Sequence, residues 1–241
     1  MTTCKMAAVL ALGWAIVVTA DPVTVSFDAG GRYWGGEPPT YGEQLTSIPA
    51  GWINGEMYSC YANNADVVKS FGGGVVTMTV HDYGYSEQRS GNSLHGVLCP
   101  GSTWLWLMNS DVRNACPLGS MLDTCFVFGI YGNVNATFDV TSLNPGKKYD
   151  LKVWSWDTAP GATLSIIVGG SSIGTAPCDS TTPSASATDS TGLTTFPAAL
   201  TADGTGKATF KIGDVRNGKL SGFQLVEFVQ PPAKGTIILL R

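Results

Sequence analysis

The stretch Ala136-Thr-Phe-Asp-Val-Thr-Ser-Leu-Asn-Pro-Gly-Lys-Lys-Tyr-Asp-Leu-Lys-Val-Trp-Ser-Trp156 decides the fold class. Apolar and polar residues alternate over 136–140, stop at Leu143-Asn-Pro-Gly146, and alternate again over 149–156. A period of two sends successive side chains to opposite faces of an extended strand. Pro145 fixes one central residue of the intervening turn, and Gly146 tolerates left-handed geometry at the next. Two strands joined by a turn follow.

The same signature recurs on both sides. Val23-Thr-Val-Ser-Phe27 alternates and breaks at Asp28-Ala-Gly-Gly31, and Gly74-Val-Val-Thr-Met-Thr-Val80 places Val76, Met78 and Val80 on one face. Further strands are predicted over 103–108, within the apolar stretch 123–131, and over 162–168, 207–212 and 222–228. Trp104, Trp106, Trp154 and Trp156 lie on predicted strands at alternating spacing and read as core. Nowhere does an apolar pattern recur every three to four residues for the length of a helix, so helix content well under about a tenth is expected. The 30 glycines and 13 prolines punctuate the chain at the rhythm of many short strands. Segments 32–64, 81–96 and 175–195 read as loops, the last a Ser/Thr-rich one. Strands with one apolar face need a second sheet to cover it, so the expected architecture is a two-sheet antiparallel β-sandwich of jelly-roll type. One domain is expected over 21–229, followed by a short tail or edge strand over 230–241.

With 241 residues, 44% of them hydrophobic and 13% charged, the chain has ample material for one core. Its net charge of -4, without any run of Lys or Arg, gives a phosphate backbone nothing to bind and argues against nucleic acid as a partner. Residues 1–20 carry Lys5, an apolar run over 6–18, and small residues at Val18 and Ala20, the pattern of a signal peptide cleaved after Ala20, with an uncleaved anchor or a buried first strand as the alternative. That run is shorter than the about 20 residues of a stable transmembrane span. A secreted or cell-surface location follows. Loss of Cys4 with the signal leaves Cys60, Cys99, Cys116, Cys125 and Cys178 as disulfide candidates; five is odd, so at least one stays a thiol or pairs between chains. No CxxC occurs, which argues against zinc.

Catalytic signals are weak. Ser93, His95 and Asp82 could compose a hydrolase triad, but no GxSxG elbow holds the serine. Pairs such as Asp28 with Glu37, or Glu43 with Glu56, have nothing in their spacing to make them face one another. Aromatic residues in loops carry the stronger signal. Tyr33, Trp34, Tyr41, Trp52, Tyr83 and Tyr85 lie outside the predicted strands, where flat rings can cover the C-H faces of sugars, and they are the expected ligand-binding residues. Asn135-Ala136-Thr137 is a glycan acceptor sequon.

The order of signals over Val140 to Trp156, then Leu200-Thr-Ala-Asp-Gly-Thr-Gly-Lys-Ala-Thr-Phe210, then Leu220-Ser-Gly-Phe-Gln-Leu225 resembles the β-sandwich domains of exported bacterial surface proteins. Those domains, of the kind found in PEP-CTERM-class proteins, are similar to galactose-binding-like and carbohydrate-binding modules. The resemblance covers about residues 137–228, with a looser echo at Val25-Ser-Phe27 and Trp52-Ile-Asn54. The tail over 230–241 lacks the proline-glutamate-proline signature of that class. What the resemblance implies is a galactose-binding-like jelly roll with no cofactor other than a structural calcium, for which Asp28, Asp157 and Asp203 supply loop oxygens.

The resulting expectation is a noncatalytic extracellular module that binds carbohydrate or a cell-surface polymer. A self-assembling subunit of a surface layer, fibre or matrix is the alternative, favoured by the odd cysteine and by sheet edges. A secreted polysaccharide hydrolase or lyase is the lesser one.

Overall fold

A computed structural model describes residues 22–29, 49–55, 67–82, 97–98, 118–122, 125–128, 134–157, 160–183 and 186–229. These form fourteen strands, a 3-10 turn at Gly72–Gly74 and a helix, α1, of four residues at Gly119–Leu122. The fold of the described residues is nearly all β, and none of their helices is long and apolar enough to cross a membrane. The signal-peptide expectation, the strand expected over 103–108 and the tail over 230–241 lie outside the described residues.

One sheet holds β11 (Leu193–Thr201), β8 (Lys148–Trp154), β14 (Gly222–Glu227), β1 (Thr24–Asp28) and β2 (Ile53–Asn54), in that spatial order. Only the short β1–β2 pairing is parallel; the other neighbours are antiparallel. A second sheet runs β10 (Ser171–Ala176), β9 (Leu164–Val168), β12 (Ala208–Val215), β7 (Val134–Val140), β4 (Val76–Asp82) and β3 (Val67–Phe71), antiparallel throughout. A small third sheet of β13 (Gly218–Leu220), β6 (Phe126–Phe128) and β5 (Val97–Leu98) joins the main core through Phe128 and Leu220.

Four phenylalanines tie the two large sheets face to face. Phe27 and Phe223 are directly paired on β1 and β14, and their rings stack at 5.0 Å. Phe138 and Phe210 are directly paired on β7 and β12 and stack at 4.9 Å. Across the layers, Phe223 meets Phe138 edge-on at 5.2 Å and Phe210 at 5.0 Å. Such pairs add about 0.5–1.5 kcal/mol each beyond the burial of the rings. Tyr149, Leu151 and Val153 of β8 and Val76 and Met78 of β4 fill the same β-sandwich-like core, as their period of two requires.

The decisive turn forms as its sequence dictates. Lys147 N donates to Asn144 O at 3.2 Å, and Gly146 takes a φ of 73°. Asn144 N donates to the Tyr149 hydroxyl at 2.8 Å, and its side-chain amide donates to Glu227 at 2.7 Å. The two bonds tie the turn to β8 and to β14.

Three expectations change. His81 and Asp82 belong to β4 and not to a loop, because β7 continues opposite them and pairs as far as Asp82 with Val134. The segment expected as a loop over 175–195 contributes the end of β10 and the start of β11, leaving 177–192 as the connection. That connection is held by buried donors: Trp154 Nε1 donates to Asp189 O at 2.7 Å and Trp156 Nε1 to Thr182 O at 3.2 Å. Trp154 and Trp156 are buried as expected, but not between the sheets. They form a second cluster with Met121, Leu122 and Ala187, where α1 and the connection cover the far end of β8.

Candidate functional site

The outward positions of the six-stranded sheet line up across strands. Lys211 on β12 stands opposite Ile167 on β9 and Thr137 on β7; Thr137 stands opposite Thr79 on β4, and Thr79 opposite Val68 on β3. The next row carries Thr209, Asp139, Thr77 and Ser70. Apart from Ile167 and Val68, these are the polar members of the alternation whose apolar members, Phe210, Ile212, Phe138, Val76 and Met78, fill the core. One periodicity thus builds the core and, on the reverse face, a ladder of hydroxyls.

Hydrogen bonds order this ladder. Thr209 Oγ1 donates to Asp139 at 2.5 Å, Lys207 pairs with the other oxygen of Asp139 at 2.9 Å, and the Ser70 and Thr77 hydroxyls lie 3.3 Å apart. His81 Nε2 sits 3.1 Å from the Thr137 hydroxyl. At the β9–β12–β7 end the face sinks into an open groove of about 680 Å³, bordered by Asn135, Ser165, Ile167, Thr209 and Lys211. Gly213 forms part of its floor; a Cβ there would lie 3.1 Å from Ile167 Cδ1. The volume is that of an ordinary small-ligand site.

Of the expected ligand-binding residues, Tyr33, Trp34, Tyr41, Tyr83 and Tyr85 lie outside the described residues. Trp52 is half-buried and packs edge-on against Trp154 at 5.7 Å, so one part of its ring is committed to the second cluster. Ser93, His95, Glu37, Glu43 and Glu56 also lie outside the described residues.

Asp28, Asp157 and Asp203 do not converge on one calcium site, and no group of three or more metal-ligating side chains occurs among the described residues. Asp203 sits where Ala202 N bonds to Lys147 O, beside the start of β8, whereas Asp157 follows the end of that strand. The exposed Asp203 carboxylate serves its own turn, accepting from Thr205 N at 2.8 Å, Thr205 Oγ1 at 2.6 Å and Lys207 N at 3.0 Å. The bonds from Thr205 and Lys207 hold its carboxyl below the usual aspartate value. Asp28 is wholly buried at the end of β1.

Asp157 is occupied by a cation of the chain itself. Its Oδ2 forms an ion pair with Lys219 Nζ, and the two side chains are 0% and 1% exposed. Cys125 Sγ donates to the same oxygen at 3.9 Å, and Ser155 Oγ donates to Lys219 O at 2.6 Å. Cys178 borders the pair: a Cβ placed on Gly161 would lie 2.9 Å from Cys178 Sγ and 3.1 Å from Lys219 Cδ. Burial raises the Cys178 thiol, outweighing its hydrogen bond with Ser155 and the charge of Lys219.

Of the disulfide candidates, Cys60, Cys99 and Cys116 lie outside the described residues, while Cys125 and Cys178 are thiols, so no bridge joins the described cysteines. The role of Lys219 is not legible in the sequence, because a lone Lys in Gly-Lys-Leu reads as an exposed strand end and burial of its partner is a tertiary fact. The groove residues are not legible either, because Thr and Lys on outward strand positions are ordinary. Known protein-family models and curated proteins yield no match to this chain.

Proposed function

We propose that this chain is a noncatalytic extracellular module that binds carbohydrate or another hydroxyl-rich surface polymer across the outer face of its six-stranded sheet. The observation that carries the reading is the groove bordered by Asn135, Ser165, Thr209 and Lys211, continuous with the hydroxyl ladder of β7 and β4. An open face crossing several strands suits an extended chain of sugars. Fixed hydroxyl and amide groups supply hydrogen bonds, and Ile167 supplies an apolar step for a ring face. A jelly roll of galactose-binding-like type is the finer reading of the architecture; the pairing of the first and last described strands, β1 with β14, supports it.

Affinity electrophoresis through gels containing neutral or acidic polysaccharides tests this. The protein is expected to be retarded by at least one polymer, and Lys211→Ala combined with Thr209→Val to weaken retention about tenfold, the effect of losing one or two hydrogen bonds. Absence of retardation by every polymer overturns the reading. Unchanged retention in the double variant, with loss in Trp34→Ala, moves the site to the aromatic segment.

The self-assembly reading draws on a separate observation: β3 and β10, outermost among the described strands of this sheet, expose Val68 and Ile173 at 62% and 38%. Sedimentation velocity across a concentration series tests it, with growth in size expected and a constant monomer overturning it.

A further inference from the structure

We propose that Lys219 and Asp157 condense spontaneously into an intramolecular amide, a covalent bolt between β13 and the segment that follows β8. The proposal does not rest on the carbohydrate reading. It starts from the sealed contact of Lys219 Nζ with Asp157 Oδ2, in which neither side chain reaches solvent. Removing two charges from water costs several kcal/mol per ion. Passing one proton from the ammonium to the carboxylate abolishes both charges at once and leaves a neutral amine in contact with a carboxylic acid.

Those are the reactants of amide formation. The Nζ lone pair attacks Cγ, one bond beyond the oxygen it already touches. A second proton moves from Nζ to the departing hydroxyl, the Cγ–O bond breaks, and one water leaves. Atoms balance, and no oxidant or reductant takes part. Oδ2, the oxygen in contact with Nζ, takes the first proton and is the one that departs, and the Cys125 thiol donates a hydrogen bond to it as it leaves. Such fixed juxtaposition is worth effective concentrations of about 10⁵ M or more in the rate of attack. The surroundings hold the reactants in place. Ser155 grips the Lys219 carbonyl, Asp157 N donates to Asp179 O at 3.1 Å, and Gly161 leaves room for the Lys219 stem, which a Cβ there would press at 3.1 Å.

The bond closes the chain between residues 157 and 219, a loop that contains β9, β10, β11 and β12. It therefore restrains most of the second half of the molecule in any unfolded state.

Mass spectrometry of the full chain, reduced and denatured, tests the proposal. The protein is expected to be lighter by one water than its sequence from the observed N-terminus. A tryptic digest is expected to contain the peptide beginning at Val153 joined to the one beginning at Asn217, with cleavage after Lys219 suppressed. Lys219→Arg and Asp157→Ala are expected to show full mass and no joined peptide; should either fail to fold, the wild-type digest decides alone. Full sequence mass with cleavage after Lys219 overturns the proposal. So does a water lost elsewhere, such as a succinimide at Asp203-Gly204, which leaves the two peptides separate.

Discussion

The two ends of β8 treat the same kind of side chain in opposite ways. Beside Lys148, where the strand begins, Asp203 is exposed and spends its carboxylate on three local donors. Beyond Trp154, where it ends, Asp157 is sealed from solvent against Lys219. The first arrangement follows from a short stretch of sequence, since an Asp ahead of Gly-Thr-Gly folds its own turn around itself. The second exists only because α1, the 177–192 connection and β13 meet over the strand end. Local chemistry shapes one end; assembly of distant segments creates the other.

That contrast can be attacked by substitution. The largest effect is expected at the sealed end and in the phenylalanine layer beside it. Lys219→Met leaves the Asp157 carboxyl buried without its partner and is expected to cost about 3–5 kcal/mol, and Phe223→Ala about the same from the cavity it opens. Urea denaturation reads both, and a Lys219→Met protein as stable as wild type would show that water reaches Asp157. Gly222→Ala comes next. Its Cβ would lie 2.6 Å from both Phe27 O and Met121 Sδ, so strand and helix must part, at about 1–3 kcal/mol. A drop in thermal midpoint without loss of β-sheet circular dichroism is expected.

A smaller effect is expected of Trp154→Phe, which keeps the ring against Trp52 but removes the donor to Asp189 O, at about 1–2 kcal/mol. It should loosen the 177–192 connection selectively, seen as faster proteolysis there with the core intact.

The smallest effect is one of pH. Asp179 is held below its ordinary value of 3.8: burial pushes it up, but donors from Thr181 and Thr182 outweigh that. Asp203 is lowered by its turn. A folded-state value below the unfolded one gives stability that is fully present above about pH 4 and lost as pH falls through the folded value. Acid titration of the wild type against Asp203→Asn should show the two stability curves converging only below pH 4 or so. Convergence at neutral pH would mean the turn does not use the charge.

Legibility in the sequence followed the range of the forces. Phe138 and Phe210 were readable as inward residues because the period of two is written in the residues beside them. Asn144-Pro-Gly146 was readable because its geometry is intrinsic. β3 and β13 were not read: Val67-Val-Lys-Ser-Phe71 and Gly218-Lys-Leu220 are too short and too mixed to announce themselves, and pairing with β4 and β6 makes them strands. The burial of Trp154 is legible in the sequence but the cluster it joins is not, since alternation tells which residues share a face and not what covers it.

The pairing of β1 with β14 also sets a clock. Synthesis at about 5–20 residues per second delivers Phe27 on the order of ten to forty seconds before Phe223, the ring it stacks on. Through that interval the five-stranded sheet lacks the strand that bridges β1 to β8. Completion of the sheet therefore waits for β14 to be synthesised, and a nascent chain stalled before Gly222 carries β1 without its antiparallel partner.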